Sequence, residues 1–221
     1  MDNSYKTVAG FGSDEFIINK SRFIGHCTAV EDEERAISFI QSVKEEHRNA
    51  THNVYAYITG EGGNLQRFSD DGEPSGTAGI PILEVLKKEN LKDVAVVVTR
   101  YFGGIKLGGG GLVRAYTKGA KIALDSAVIV EMTTFEILKV QIGYTAFGKL
   151  ENYLRDNGIE PDEIIFEDNV KLKISILKKE VDRFLGDINE MTSGSATVVG
   201  VGEIYLPMKD GVRYMPGGGI K

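Results

Sequence analysis

Residues 99–116 read Thr-Arg-Tyr-Phe-Gly-Gly-Ile-Lys-Leu-Gly-Gly-Gly-Gly-Leu-Val-Arg-Ala-Tyr. Glycines let backbone N–H groups approach an oxyanion, and a helix N-terminus adds partial positive charge. Gly103, Gly104, Gly108, Gly109, Gly110 and Gly111 are therefore candidates for cupping a phosphate, with Arg100 and Lys106 beside them. Arg114, Lys118 and Lys121 recur at spacings of four and three, so they share one helix face. Tyr101 and Phe102 stand at the root of the loop, where a ring could stack on a base. This is anion-binding or nucleic-acid-binding chemistry. The alternative is a tight connection followed by a solvated helix face. A Walker A loop is not present, because Gly109 stands where its lysine belongs, and no Gly-x-Gly-x-x-Gly follows the strand.

A second candidate lies upstream. Arg67, Phe68, Ser69, Asp70, Asp71, Gly72, Glu73, Pro74, Ser75, Gly76 and Thr77 run consecutively. Three carboxylates in four positions could hold a divalent cation, and Ser75 or Thr77 could act as a nucleophile. The competing reading is a turn in which Ser75 or Thr77 caps the next helix. The spacing of a calcium loop is absent, and the turn is favoured. Asp70, Asp71 or Glu73 could also pair with Arg100 or Arg114, bringing both loops to one cleft. Of three histidines, His52 opens a strand leading toward the acidic loop and is the one candidate acid–base residue. His26 and His47 are expected to be structural, with His47 solvated at a helix end. No metal or cofactor is expected.

These residues need elements to position them. Residues 15–29 read as two strands or one bent strand. Residues 31–47 read as a helix with acidic residues in its first turn. A strand over 53–59, a helix over 78–89 and a β-branched run at 94–99 follow; the run suits a central strand buried on both faces. The Gly-rich loop leads to a helix from about 111 to 126, and 128–133 reads as a strand. Strands at 135–144, 164–166, 170–177 and 196–206, with helices at 145–157 and 179–192, give the order β-α-β-β-α-β of a split βαβ unit. The expected class is α+β with two domains, 1–134 and 135–221. The tail Pro216-Gly217-Gly218-Gly219 is expected to fray.

The chain has 221 residues, a formal net charge of −6 and one cysteine. One cysteine excludes an internal disulfide. No apolar run is long enough to span a bilayer, and no secretory leader is visible at the N-terminus, so the sequence reads as soluble and cytoplasmic, with no membrane partner. The negative balance disfavours wholesale coating of nucleic acid. Charge is unevenly placed, however: no acidic residue occurs from Val94 to Leu124, where Arg100, Lys106, Arg114, Lys118 and Lys121 all fall.

Residues 69–79, 98–108 and 110–116 together resemble the motifs of the IMPACT/YigZ family. The match is long and ordered. It implies a ribosomal-protein-like β-α sandwich for the first domain. For the second it implies a ferredoxin-like fold similar to the C-terminal domain of elongation factor G. Eukaryotic relatives regulate translation through protein partners, and bacterial members have been suspected of binding nucleic acid or the ribosome. The resemblance carries over no catalytic residue. The leading expectation is thus a non-catalytic translation-associated regulator that meets RNA or the ribosome through the Gly-rich loop and the basic helix. Two alternatives stay open: an enzyme binding a small phosphorylated metabolite or nucleotide at the same loop, with metal on the acidic loop, and a protein-partner adaptor in stress regulation of translation.

Overall fold

The computed structural model describes residues 4–215; the glycine-rich tail at 216–219 lies outside the described residues. The chain is mixed α+β, with two sheets and five α-helices among the described residues. The described residues divide into two compact units, one built from Tyr5–Met132 with residues 207–215, the other from Thr133–Leu206 with Ser4.

In the first unit, β2 (Gly12–Ile18) and β3 (Ser21–Ala29) form a hairpin closed by Asn19 and Lys20, both at positive φ. This is the backbone twist that a two-residue hairpin turn requires. Helix α1 (Glu33–Glu46) starts where the Asp32 carboxylate accepts the Arg35 N–H, with Glu33 and Glu34 in its first turn. Strands β4 (His52–Thr59), β5 (Leu65–Ser69) and β6 (Val94–Tyr101) complete an antiparallel sheet of order β2-β3-β6-β4-β5. The β-branched run of β6 occupies the centre and is buried throughout residues 94–100. Strand β1 (Tyr5–Val8) pairs with the first residues of β7 (Ile129–Ile142).

Side chains alternate along each strand, so the sheet has two different faces. Val54, Ala56, Val96 and Val98 pack against α2 (Gly79–Lys88) and α3 (Gly109–Ala127). Tyr57, Ala95 and Val97 pack against Ala36, Ile40 and Val43 of α1. Helix α3 rides very close to the sheet. A Cβ on Gly25 would collide with the Gly119 carbonyl oxygen, and one on Gly119 would stand 2.7 Å from Val98 Cγ1.

The second unit runs β7, α4 (Tyr144–Asp156), β8 (Glu163–Phe166), β9 (Val170–Leu177), α5 (Val181–Thr192) and β10 (Thr197–Lys209), with strand order β10-β7-β9-β8. That is the split βαβ arrangement expected from the sequence. Its core joins Leu138, Val140, Leu172 and Ile174 of the sheet to Leu150, Phe184 and Ile188 of the helices. Three local expectations need correcting. Residues 129–142 form one strand rather than two, because Thr133 and Thr134 continue the extended backbone as β-branched residues do. β10 runs on to Lys209 and turns back into β11 (Val212–Arg213). β1 and β5 also exist, one short and the other largely exposed.

Candidate nucleic-acid interface

Consecutive residues of a strand point to opposite faces, and this separates two residues that adjoin in sequence. Arg100 points to the α2/α3 face and Tyr101 to the α1 face. Arg100 is 5% exposed, so the expectation that it joins a cationic surface is corrected. Its Nη1 donates to Glu73 Oε1 at 2.6 Å, its Nη2 lies 3.5 Å from Ser21 Oγ, and its Nε is buried without a partner. The guanidinium carbon lies 5.4 Å from the ring centroid of Phe23 and 5.3 Å from that of Phe102. Tyr101, expected at the loop root, instead has its hydroxyl 3.1 Å from His47 Nδ1.

Glu73 is the hub. Its Oε1 also accepts the Tyr116 hydroxyl at 2.7 Å, and His52 Nε2 stands 3.9 Å away. Burial and the neighbouring carboxylate push the Tyr116 phenol far up, so it acts as a hydrogen-bond donor and not as a base. His52 Nδ1 lies 2.8 Å from the Asp71 carbonyl oxygen, which can only accept; Nδ1 therefore carries a proton, and in the neutral ring Nε2 faces Glu73. Glu73 thus joins the acidic loop to Arg100 of β6 and Tyr116 of α3, so one of the pairings open from sequence is realised. Arg114 is not part of it.

The other acidic-loop residues are engaged separately. Asp70 accepts the backbone N–H groups of Gly76, Ala78 and Gly79, so it rather than Ser75 or Thr77 caps α2. Asp71 accepts the Asn53 N–H at 2.6 Å and Lys44 Nζ at 2.9 Å. Three carboxylates adjacent in sequence therefore diverge in space, and among the described residues no group of three or more His, Cys, Asp or Glu side chains is arranged to hold a metal. Thr77 donates to the Pro74 carbonyl at 2.6 Å, while Ser75 is exposed. Arg67 pairs in register with Tyr57 and so lies on the α1 face, away from Glu73.

The Gly-rich loop separates into two parts. Gly103 is required for packing: a Cβ there would run into the Lys20 carbonyl, and its N–H donates to Ser21 Oγ. Gly104 and Gly108 hold φ of 85° and 71°, which side-chain-bearing residues rarely adopt. Gly109, Gly110 and Gly111 form the first turn of α3 and lack that constraint. Gly109 and Gly110 are exposed and a Cβ on Gly110 would meet open space, at a turn whose N–H groups have no partner within the helix. Arg114 Nε donates to the Gly110 carbonyl at 3.2 Å, setting a cation beside that turn. Lys106, Lys118 and Lys121 are exposed, and Lys118 Nζ stands 4.4 Å over the Phe16 ring. Phe102 is 46% exposed at the start of the loop.

His26 and His47, both away from Glu73 on the α1 face, have ring centroids 5.0 Å apart and buried Nε2 atoms without hydrogen-bond partners. The expectation of a solvated His47 is corrected, since only 13% of its side chain is accessible. Ser21 was not singled out from sequence; its signal is weak, a hydroxyl directly after a hairpin turn. No helix among the described residues is long and apolar enough to cross a membrane.

Residues 19–124 match the Impact N-terminal domain, and residues 140–195 match a Domain of unknown function (DUF1949). IMPACT family member YvyE of Bacillus subtilis is 47% identical over 198 residues, covering 90% of this chain and 91% of that one. IMPACT family member YigZ of Escherichia coli is 33% identical over 188 residues, covering 84% and 92%. The crystal structure of a hypothetical protein at 30% identity superposes with a TM-score of 0.57 over 91% of this chain and 98% of that chain. With the two domains in this order and relatives matched over nearly their whole lengths, the chain belongs to the IMPACT family.

Proposed function

We propose that this protein is a non-catalytic regulator of translation that binds RNA, free or in the ribosome, at the N-terminal end and exposed face of α3. The carrying observation is the conjunction at that helix of exposed first-turn glycines with the exposed cations Lys106, Arg114, Lys118 and Lys121. Amides and cations meet the same ligand, a phosphate, and no carboxylate occurs from Val94 to Leu124, the stretch that carries them. The buried Glu73–Arg100–Tyr116 cluster serves this surface by fixing the acidic loop, β6 and α3 to one another. The diverging carboxylates of the acidic loop favour this reading over an enzyme with a metal held there.

Fluorescence anisotropy of labelled single-stranded RNA against salt tests the proposal. Affinity is expected to fall on a log–log plot with a slope of about −0.7 per phosphate neutralised. A variant with Lys106, Arg114, Lys118 and Lys121 replaced by alanine is expected to lower that slope and to sediment with ribosomes markedly less than wild type. Arg100 is unsuitable for this test because it is buried. Binding that ignores both salt and the four substitutions overturns the proposal.

A further inference from the structure

We infer that the open face of the second unit's sheet is a separate surface for single-stranded RNA, gripping phosphates rather than reading bases. The ligand class rests on the reading above; the residues are different. Val140 and Leu172 point into the helical core, so their neighbours Lys139, Gln141, Lys171 and Lys173 face the other way. With Glu163, Ile165 and Val199 these line a groove of about 420 Å³.

The charge placement is unusual for an ordinary solvated sheet. Lys139 and Lys173 are directly opposite each other across β7 and β9. Like charges in that position destabilise a sheet. Among the described residues neither has an ion-pair partner within 4 Å, although Glu163, opposite Lys173 on β8, also lines the groove. Lys171 is held by Glu167 four residues back. Lys139, Lys171 and Lys173, set against Glu163 and Glu167, thus leave a local excess of positive charge on a chain of net charge −6. An anionic ligand supplies the missing countercharge.

The form of the groove favours an extended polyanion over a small ion. Lys171 and Lys173 are two residues apart on one strand, a separation of roughly 6.6 Å, which suits successive phosphates of an extended strand once Lys171 exchanges its exposed partner Glu167 for a phosphate. Ile165 and Val199, 40% and 53% exposed, flank the lysines with apolar surface for sugars and bases. No aromatic side chain lines the groove, so there is no stacking platform and little base preference is expected.

The test uses the full chain and a fluorescein-labelled oligouridylate, titrated at several salt concentrations. Replacing Lys139 and Lys173 by glutamine is expected to weaken binding several-fold and to reduce the salt slope by about 1.4, two phosphates at ~0.7 each. Lysine-to-arginine replacement at both positions is expected to retain binding. Circular dichroism melting verifies the fold of each variant. The same pair of glutamines in the Lys106/Arg114/Lys118/Lys121 alanine background is expected to remove the binding that remains there. Wild-type affinity and slope in the glutamine variant overturn this inference alone, leaving the α3 reading to its own result. A loss confined to the glutamine variant, with the alanine variant unaffected, overturns the α3 reading instead. Poly-glutamate binding the alanine variant more tightly than oligouridylate of equal charge also overturns the inference, assigning the groove to an acidic protein segment.

Discussion

Glu73 Oε1 accepts from both Arg100 and Tyr116 within a site almost closed to water, so removing one partner leaves charge or polarity without compensation. Breaking a buried ion pair by deleting one member costs about 3–5 kcal/mol. Arg100→Ala is therefore expected to lower the unfolding free energy by that amount in urea titrations. Tyr116→Phe removes only a hydrogen bond to a charged acceptor and is expected to cost about 1.5–3 kcal/mol. Equal midpoints for wild type and Arg100→Ala would show that Glu73 is not held as described. His26 gives a pH dependence. Burial, reinforced by His47, lowers its pKa from 6.5 to about 4. The folded state thus binds the proton less well than the unfolded state does. Stability is full above pH 6.5 and declines as pH falls toward 4, by up to about 3 kcal/mol from this group. His26→Phe is expected to flatten the stability profile across that window. A wild-type profile level between pH 6.5 and 4 would contradict the assigned environment.

At the scale of elements, glycine has opposite meanings at the start and in the middle of α3. Gly25 and Gly119 let helix and sheet backbones touch, and neither side can recede from an added methyl group. Gly25→Ala is expected to destabilise by about 1–3 kcal/mol or more through overpacking. Gly110 faces open space inside a helical turn, so Gly110→Ala is expected to stabilise by up to about 1 kcal/mol while weakening RNA binding by screening the amides. Chemical denaturation alongside anisotropy separates the two effects; a Gly110→Ala protein that binds RNA as wild type does would remove the amides from the proposed contact. How far these features were legible in the sequence follows from the same physics. β6 announced itself through an unbroken β-branched run, because burial on both faces demands apolar residues everywhere. β5, Leu-Gln-Arg-Phe-Ser, has no buried face to impose a pattern and left no trace. The direction of Arg100 was available from period-two counting beyond Val98, which faces α3, yet the positive charges around it drew it onto the surface. Its bond to Glu73 was legible only as one of several pairings. Choosing it depends on how Asp70 caps α2 and turns the acidic loop, a tertiary outcome that no local spacing encodes. The lysine groove was missed because period-two lysines on a strand look like any solvated face until their cross-strand partners are known.

At the scale of the whole molecule, the division into units raises the question of what each needs in order to fold. The stretch 133–206 has its own closed core, with Leu150 and Ile174 fully buried and Phe184 and Ile188 nearly so. It holds both helices of the split βαβ unit and the four strands of its sheet, with β7 and β10 each trimmed at one end. The residues of β7 lost from such a fragment, 129–132, pair with β1 rather than with the strands that carry this core. The physical requirement is therefore met inside the segment: apolar surface from one sheet face covered by two helices. Domains of this size reach only about 3–5 kcal/mol from a single core. Expressed alone, residues 133–206 are expected to unfold in one cooperative urea transition with a stability in that range. Phe184→Ala, costing about 3–5 kcal/mol, is expected to abolish the transition altogether. A fragment with no cooperative unfolding would mean that the core of residues 133–206 depends on the rest of the chain. A folded fragment gives the lysine groove a setting free of α3, in which its RNA affinity is measured directly.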